Sequence, residues 1–347
     1  MSIVAVLAVS ATGVFAAEPI LKCTFASNEE GWVTMGKPGA TLKVDGGALH
    51  FGYKVENPPA MSMLVHPLGE ISAKGLQSVR FEVKTESAFA IAVVLSEKKP
   101  GGGNYTAAFW STGKGWQPVV LSVADFVEGE GPNEPKDADG KLGDDLEGVG
   151  FLDISQMFSH AGPPIFTTSH DGDHTISIRN FELSREPAKP REAMAVDDFS
   201  APQAMWIAPG AAEFKMEDGA LSLSYQQQPE QAVIFVHPLA KQDYRGATHL
   251  AFDVESSKPG QFIWALAEGR NHGPEAARYN VDFTVLTPNK MDHREIVLSA
   301  FTADANGPQD PNGKLDLDNL RSLSLIDLSQ QDGPNTLKLK NIRFIKK

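Results

Sequence analysis

"VHPL" at Val65–Leu68 returns letter for letter at Val236–Leu239, 171 positions further along the chain. The same displacement carries Gly75 onto Gly246, Phe81 onto Phe252, Val83 onto Val254, Leu95 onto Leu266 and Glu97 onto Glu268. Matches that share one register are the signature of an internal duplication. Elsewhere the register drifts by small insertions, as loops do while strands keep their spacing. "FASNEEGW" (Phe25–Trp32) answers "FSAPQAMW" (Phe199–Trp206), Tyr105 answers Tyr279 and Phe109 answers Phe283. "DGKL" (Asp139–Leu142) answers "NGKL" (Asn312–Leu315), and "LDIS" (Leu152–Ser155) answers "IDLS" (Ile326–Ser329). The reading places one domain at 17–185 and a second at 195–347, each of ordinary domain size. Residues 186–194, with Pro and alternating charge, form a semi-stiff solvated linker between them.

Within each copy apolar residues alternate with period two, the mark of strands with one buried face. In "HLAFDVES" Leu250, Phe252 and Val254 point one way, and Ala251, Asp253 and Glu255 the other. Val79, Phe81 and Val83 against Arg80, Glu82 and Lys84 repeat this in the first copy. "RYNVDFTVL" aligns Tyr279, Val281, Phe283 and Val285 on one face. Turn clusters such as "EDG", "SKPG" and "DPNG" separate the runs. About eight strands per copy, each with one apolar face, predict two antiparallel sheets packed face to face, an all-β fold of two tandem β-sandwich domains.

The chain has 347 residues, 41% hydrophobic and 22% charged, enough apolar material for two cores. A net charge of -13 with no basic patch excludes nucleic acid and anionic bilayers as main partners. "MSIVAVLAVSATGVFA" (1–16) is uncharged, too short to span a bilayer, and reads as a signal peptide, which predicts a secreted or periplasmic protein with no membrane insertion after cleavage. Cys23 is the one cysteine, so no intrachain disulfide forms.

The order "DDF…W", "GALSL", "YRGATHLAFDVES", "EIVLSAF", "NGKLDLDNLRSLSL" and "NTLKLKNIRF" resembles the galactose-binding-like jelly roll of family 11 carbohydrate-binding modules and of the complex I intermediate-associated protein 30 domain. The resemblance spans Ala195–Lys347 and, more loosely, Leu21–Arg185. It implies a jelly-roll sandwich and a non-catalytic binding role, with a polysaccharide or other glycan as partner. The alternative it carries is a protein partner, as in an assembly factor. Jelly rolls of this kind often hold a structural calcium between acids of the first strand and the closing strand. Asp197, Asp198 and Asn341 are the matching positions, whereas Cys23, Thr24 and Asn180 in the first copy lack the acids, so the resemblance implies at most one calcium, in the second domain.

Sugar recognition needs an outward aromatic ring against which a pyranose can stack. By parity Trp264 is core, and Trp32 and Trp206 plug the sandwich ends. Trp110 follows the inward Phe109 and is expected to face solvent, and Trp116, aligned with His293, opens a strand at a loop-rich edge. These are the leading ligand-binding candidates, joined by Tyr105, Glu97, Tyr279, Glu268 and His293. For Glu97, Glu268, Asp153 and Asp327, all on the parity of core residues, three roles stay open: structural acceptor, ligand contact at the rim, or an acid–base pair of a glycan hydrolase. His66 and His237 mark a strand end that the following Pro terminates. "KDADGKLGDD" (Lys136–Asp145) and "QDPNGKLDLD" (Gln309–Asp318) lack the acids of an EF-hand at the required spacing and read as Asx-bonded turns. "SHDGDH" (Ser169–His174) has metal-like density in the first copy alone, with a solvated loop as the simpler reading. No nucleophile elbow, phosphate loop or zinc-protease pattern occurs.

Overall fold

The computed structural model describes residues 18–347 except 57–60, 130–134, 159–169, 190–193, 200–205, 207–211, 240–242, 269–276 and the single positions 88, 99, 112, 114, 198 and 218. The signal-peptide reading, Asp198 and residues 190–193 of the predicted linker lie outside the described residues. Among the described residues the strands fall into four sheets, two built from residues 21–184 and two from 195–345, and no strand pairing joins the two sets.

In the first sandwich one sheet runs Thr41–Asp45, Ala48–Val55, Gly172–Ser184, Ser78–Thr85, Gln117–Ser122, with Leu21–Cys23 also on the long closing strand. The opposing sheet runs Val127–Glu128, Asn104–Trp110, Ala90–Glu97, Leu146–Asp153, Ser62–Pro67, Val33–Gly36. The second sandwich repeats this order: Ala212–Glu217, Ala220–Gln227, Gly333–Ile345, His249–Ser256, Asp292–Val297, faced by Val233–Pro238, Leu320–Asp327, Gly260–Glu268, Arg278–Val285, Thr302–Ala303. Every pairing is antiparallel, and the registers match: Leu95 faces Tyr105 as Leu266 faces Tyr279. The described residues hold twelve strands in the first set and eleven in the second, against about eight expected; two in each set, such as Leu21–Cys23, have only two or three residues and are too short to show alternation.

Burial follows the predicted parity. Leu250, Phe252 and Val254 are 0% exposed, as are Val79 and Val83. Each sandwich has its own apolar cluster, one around Phe51, Phe81, Phe109 and Phe151, the other around Phe235, Phe252, Phe262 and Trp264. The duplicated "VHPL" owes its return to ring packing. His66 meets the edge of Trp32 at 5.4 Å and its Nε2 lies 3.0 Å from the Glu30 carbonyl. His237 stacks on Trp206 at 5.1 Å. Each tryptophan that closes a sandwich end is thus held by the histidine of its own copy.

The start of the linker is tied to the first sandwich while Pro187 and Lys189 stay exposed. Ser78 Oγ donates to the Glu186 carbonyl at 2.7 Å, and Arg80 Nη2 donates to the Pro187 carbonyl at 2.9 Å. An outward cation on Ser78–Thr85 thereby fixes these residues to the first sandwich.

Candidate functional site

The four rim residues form one arrangement built twice. Tyr105, 3% exposed, donates its hydroxyl to Asp137, and Tyr279, 4% exposed, donates to Asp310. Asp137 Oδ2 accepts the Lys141 N–H at 2.8 Å, and Asp310 Oδ2 accepts the Lys314 N–H at 2.8 Å, which closes the predicted Asx-type turns. Glu97 accepts the N–H groups of Gly103 and Gly143, and Glu268 accepts that of Asp316. Glu97 and Glu268 therefore staple the acidic loop to the end of the sandwich. Burial, followed by the nearby carboxylates Asp310, Asp316 and Asp318, pushes Glu268 up to about 7 against the lowering effect of the Asp316 N–H. The Tyr279 hydroxyl holds Asp310 below the usual carboxylate range.

Asp153 and Asp327, 0% and 2% exposed, lie deeper. Tyr53 donates to Asp153 at 2.6 Å, and His170 Nε2 approaches the same oxygen at 2.6 Å. Asp327 receives Tyr225 and Gln227 instead, and each Asp also accepts a backbone N–H two residues on. His174 Nε2 lies 2.8 Å from the His170 carbonyl and the two imidazoles stack at 4.0 Å, so the described part of "SHDGDH" is committed to the sandwich. Burial first, and the neighbouring His170 second, hold His174 below the usual imidazole range.

Trp110 is corrected. It sits on the outward parity but is 9% exposed, and its indole N–H donates 3.0 Å to the carbonyl of Trp206 in the other copy. A covered ring offers no free stacking face. The pairing of Trp116 with His293 is corrected as well: Val83 faces Gln117 where Val254 faces Asp292, so Met291 takes the place of Trp116 and His293 that of Pro118. His293 Nδ1 lies 2.6 Å from Asp253 Oδ1, and this contact raises its pKa; Asn341 donates to the other Asp253 oxygen at 2.6 Å.

Of the three residues matched to a calcium site, Asp198 lies outside the described residues and the other two have partners within the protein. Asp197 accepts the Phe199 N–H at 2.8 Å and the Trp206 indole at 3.2 Å, while Asn341 is directed to Asp253. Among the described residues no group of three His, Cys, Asp or Glu could hold a metal ion. Asn341 has a backbone reason for its identity: with φ 51° it sits beside a bulge in Gly333–Ile345, as Asn180 with φ 52° does in the first copy. Asn tolerates that left-handed conformation better than other side chains with a Cβ.

Trp116 remains. It is half-buried just before Gln117–Ser122, and the Arg179 guanidinium lies 4.4 Å from its ring centroid. Arg179 is in turn paired with Glu82, directly opposite on the next strand. The other four tryptophans and all five tyrosines are buried. One aromatic ring flanked by a guanidinium and a carboxylate is thus presented on the outer face of the first sandwich.

No protein-family model matches the chain. No curated protein matches it at a significant level. Among solved structures it is similar to a family 11 carbohydrate-binding module from Clostridium thermocellum in complex with a β-1,3-1,4-mixed-linked tetrasaccharide (20% identity, 45% of this chain and 98% of that one, TM-score 0.38). It is also similar to a point mutant of a family 29 carbohydrate-binding module (19%, 46% and 89%, 0.28) and to an agarase (14%, 45% and 25%, 0.35). The fold is established by the sheets themselves, not by likenesses of this size.

Proposed function

We propose that this is a non-catalytic carbohydrate-binding protein whose first sandwich engages a sugar at Trp116. The ligand class comes from the resemblance in sequence to carbohydrate-binding modules. The observation that carries the site is that Trp116 alone, among the tryptophans and tyrosines, escapes burial, with Arg179 held 4.4 Å from its ring. The face of the Trp116 ring turned away from Arg179 would meet the C–H face of a pyranose, while Arg179 and Glu82 supply a donor and an acceptor for hydroxyls at its edge. Met291 in the matching place of the second copy offers no such ring, so one aromatic stacking site per chain is proposed. A non-catalytic role is supported by Glu97, Glu268, Asp153 and Asp327, whose oxygens are engaged inside the protein. The uncharged opening segment supports secretion or periplasmic location.

Native affinity electrophoresis of the full chain through gels containing mixed-linked glucan, agarose or other neutral polysaccharides tests the proposal. Retardation should be lost in Trp116→Ala and kept in Glu97→Gln. Equal retardation of Trp116→Ala and the parent would reject the site.

A second reading, a polypeptide partner, is favoured by the edge strand Val33–Gly36. Val33 is 43% exposed, Met35 55% and the adjacent Met61 44%. An apolar edge strand with one unpaired side can accept an added strand. Stoichiometric capture of one protein, abolished by Met35→Lys, would support this reading over the first.

A further inference from the structure

The two copies differ most tellingly on the inner face of one edge strand. In the first, Gln117, Val119 and Leu121 lie opposite Val83, Phe81 and Val79, and Val119 and Leu121 are 1% and 0% exposed. In the second, Asp292, Arg294 and Ile296 lie opposite Val254, Phe252 and Leu250. A charged pair has thus replaced a neutral amide and a core valine.

The consequence is an opening between the sheets. Phe283 and Val281 are half-buried where their counterparts Phe109 and Ala107 are 0% and 3% exposed. Beside them a cavity of about 160 Å³ is lined by Val285, Leu286, Thr287, Lys290, Asp292 and Arg294. It is smaller than the roughly 300–1,000 Å³ of drug-sized sites and takes one small unit. Leu286, 75% exposed, forms an apolar lip.

Arg294 reaches across this opening. Its Nη2 donates to the Thr284 carbonyl of the opposite sheet at 3.1 Å and lies 2.7 Å from Asp292. The first copy caps the matching carbonyl, that of Trp110, with the neutral amide of Gln117 at 3.0 Å. Bridging the sheets therefore needs no charge. The guanidinium brings one, and its Nε–H meets no acceptor. With Lys290 at the rim the pocket carries two cations against the single carboxylate of Asp292. The chain's overall charge of -13 opposes anions at long range, but that field is screened beyond about 8 Å in physiological salt.

We propose that this inter-sheet pocket of the second sandwich binds the carboxylate of one acidic sugar unit, a uronic acid, through Arg294 and Lys290. Asp292 accepts a ring hydroxyl, and Val285 and Leu286 cover the apolar face of the ring. The sugar class rests on the carbohydrate reading; the charge preference rests on this pocket alone.

Calorimetric titration of the full chain with an oligogalacturonate and with its neutral oligogalactoside counterpart decides it. The uronate should bind and the neutral sugar should not bind at this pocket. Arg294→Gln, which removes the charge and keeps an amide donor, should weaken uronate binding roughly tenfold or more, the scale of one charge-assisted hydrogen bond. Lys290→Ala, at an exposed position, should weaken it without disturbing the fold, whereas Lys74→Ala, an exposed cation of the first sandwich outside both sites, should leave it unchanged. Uronate binding that survives Arg294→Gln, or no uronate binding at all, overturns the proposal. If Arg294→Gln leaves sugar affinities untouched but makes the chain self-associate in gel filtration, the inward charge serves to protect the sheet edge and the proposal is wrong. Loss of neutral-glycan binding in Trp116→Ala reports on the first-domain site separately, so failure of either reading is recognisable on its own.

Discussion

Replacing Glu268 by glutamine should make the protein more stable in mild alkali and change little in mild acid. Glu268 is 4% exposed, accepts the Asp316 N–H and is surrounded by Asp310, Asp316 and Asp318. Burial comes first among the causes that raise it from 4.5 to about 7. A carboxyl whose folded pKa lies above its unfolded one contributes stability that is fully present below pH 4.5 and is lost as pH rises through 7. At about 1.4 kcal/mol per pH unit the interval is worth about 3 kcal/mol as an upper figure. Glutamine copies the protonated acid and keeps an acceptor for Asp316, so the variant should match the parent near pH 5 and exceed it by about 2–3 kcal/mol near pH 8. Urea unfolding of the full chain at a series of pH values, followed by circular dichroism, gives the two curves. A constant loss in Glu268→Gln at every pH would refute the reasoning, because it would mean that the carboxylate is ionised and held by its hydrogen bonds throughout.

The first sandwich should respond to acid in the opposite sense. His174 has a lowered pKa, so its contribution is present above the ordinary 6.5 and falls away as pH drops below it; His174→Gln should flatten that limb in the same unfolding series. Asp327→Asn should cost about 2–4 kcal/mol, since a buried carboxylate accepting from Tyr225, Gln227 and Ser329 loses its charge, and differential scanning calorimetry should show the loss. Trp110→Phe keeps most of the covered ring but removes the N–H to Trp206, for a loss of about 0.5–1.5 kcal/mol, and Trp110→Ala should cost more. At φ 51° Asn341→Gly should be tolerated, whereas Asn341→Val should cost about 1–3 kcal/mol in chemical denaturation.

The duplication, the strand alternation and the core position of Trp264 are legible in the sequence because each depends on periodic spacing, which a string of letters preserves. The rim tyrosines and glutamates are visible for the same reason, as pairs at matching places. Their roles are not, since Asp137 and Asp310 reach them through a folded loop. Trp110 shows the limit of parity: alternation says which way a side chain leaves its sheet but not what lies there, and its cover is Trp206, from the other copy. The match of Trp116 with His293 is out by two residues: the interval from Trp110 to Gln117 is one residue shorter than that from Thr284 to Asp292, and that single step leads from Trp116 to Met291. Asn341 could have been read better. Asn180 in "RNF" and Asn341 in "KNI" recur without matching acids beside the first, which fits a shared backbone need and not a ligand set. The Arg294 pocket was hidden because a charge on an inward position looks, in isolation, like an irregular strand.

The most direct test of the carbohydrate reading uses the indole N–H signals of the five tryptophans in a ¹H–¹⁵N spectrum during titration with a neutral oligosaccharide. The Trp116 signal should move progressively while those of Trp32, Trp110, Trp206 and Trp264, all buried, stay in place. A titration that leaves Trp116 unmoved, or that shifts Trp110 in its stead, would contradict the account.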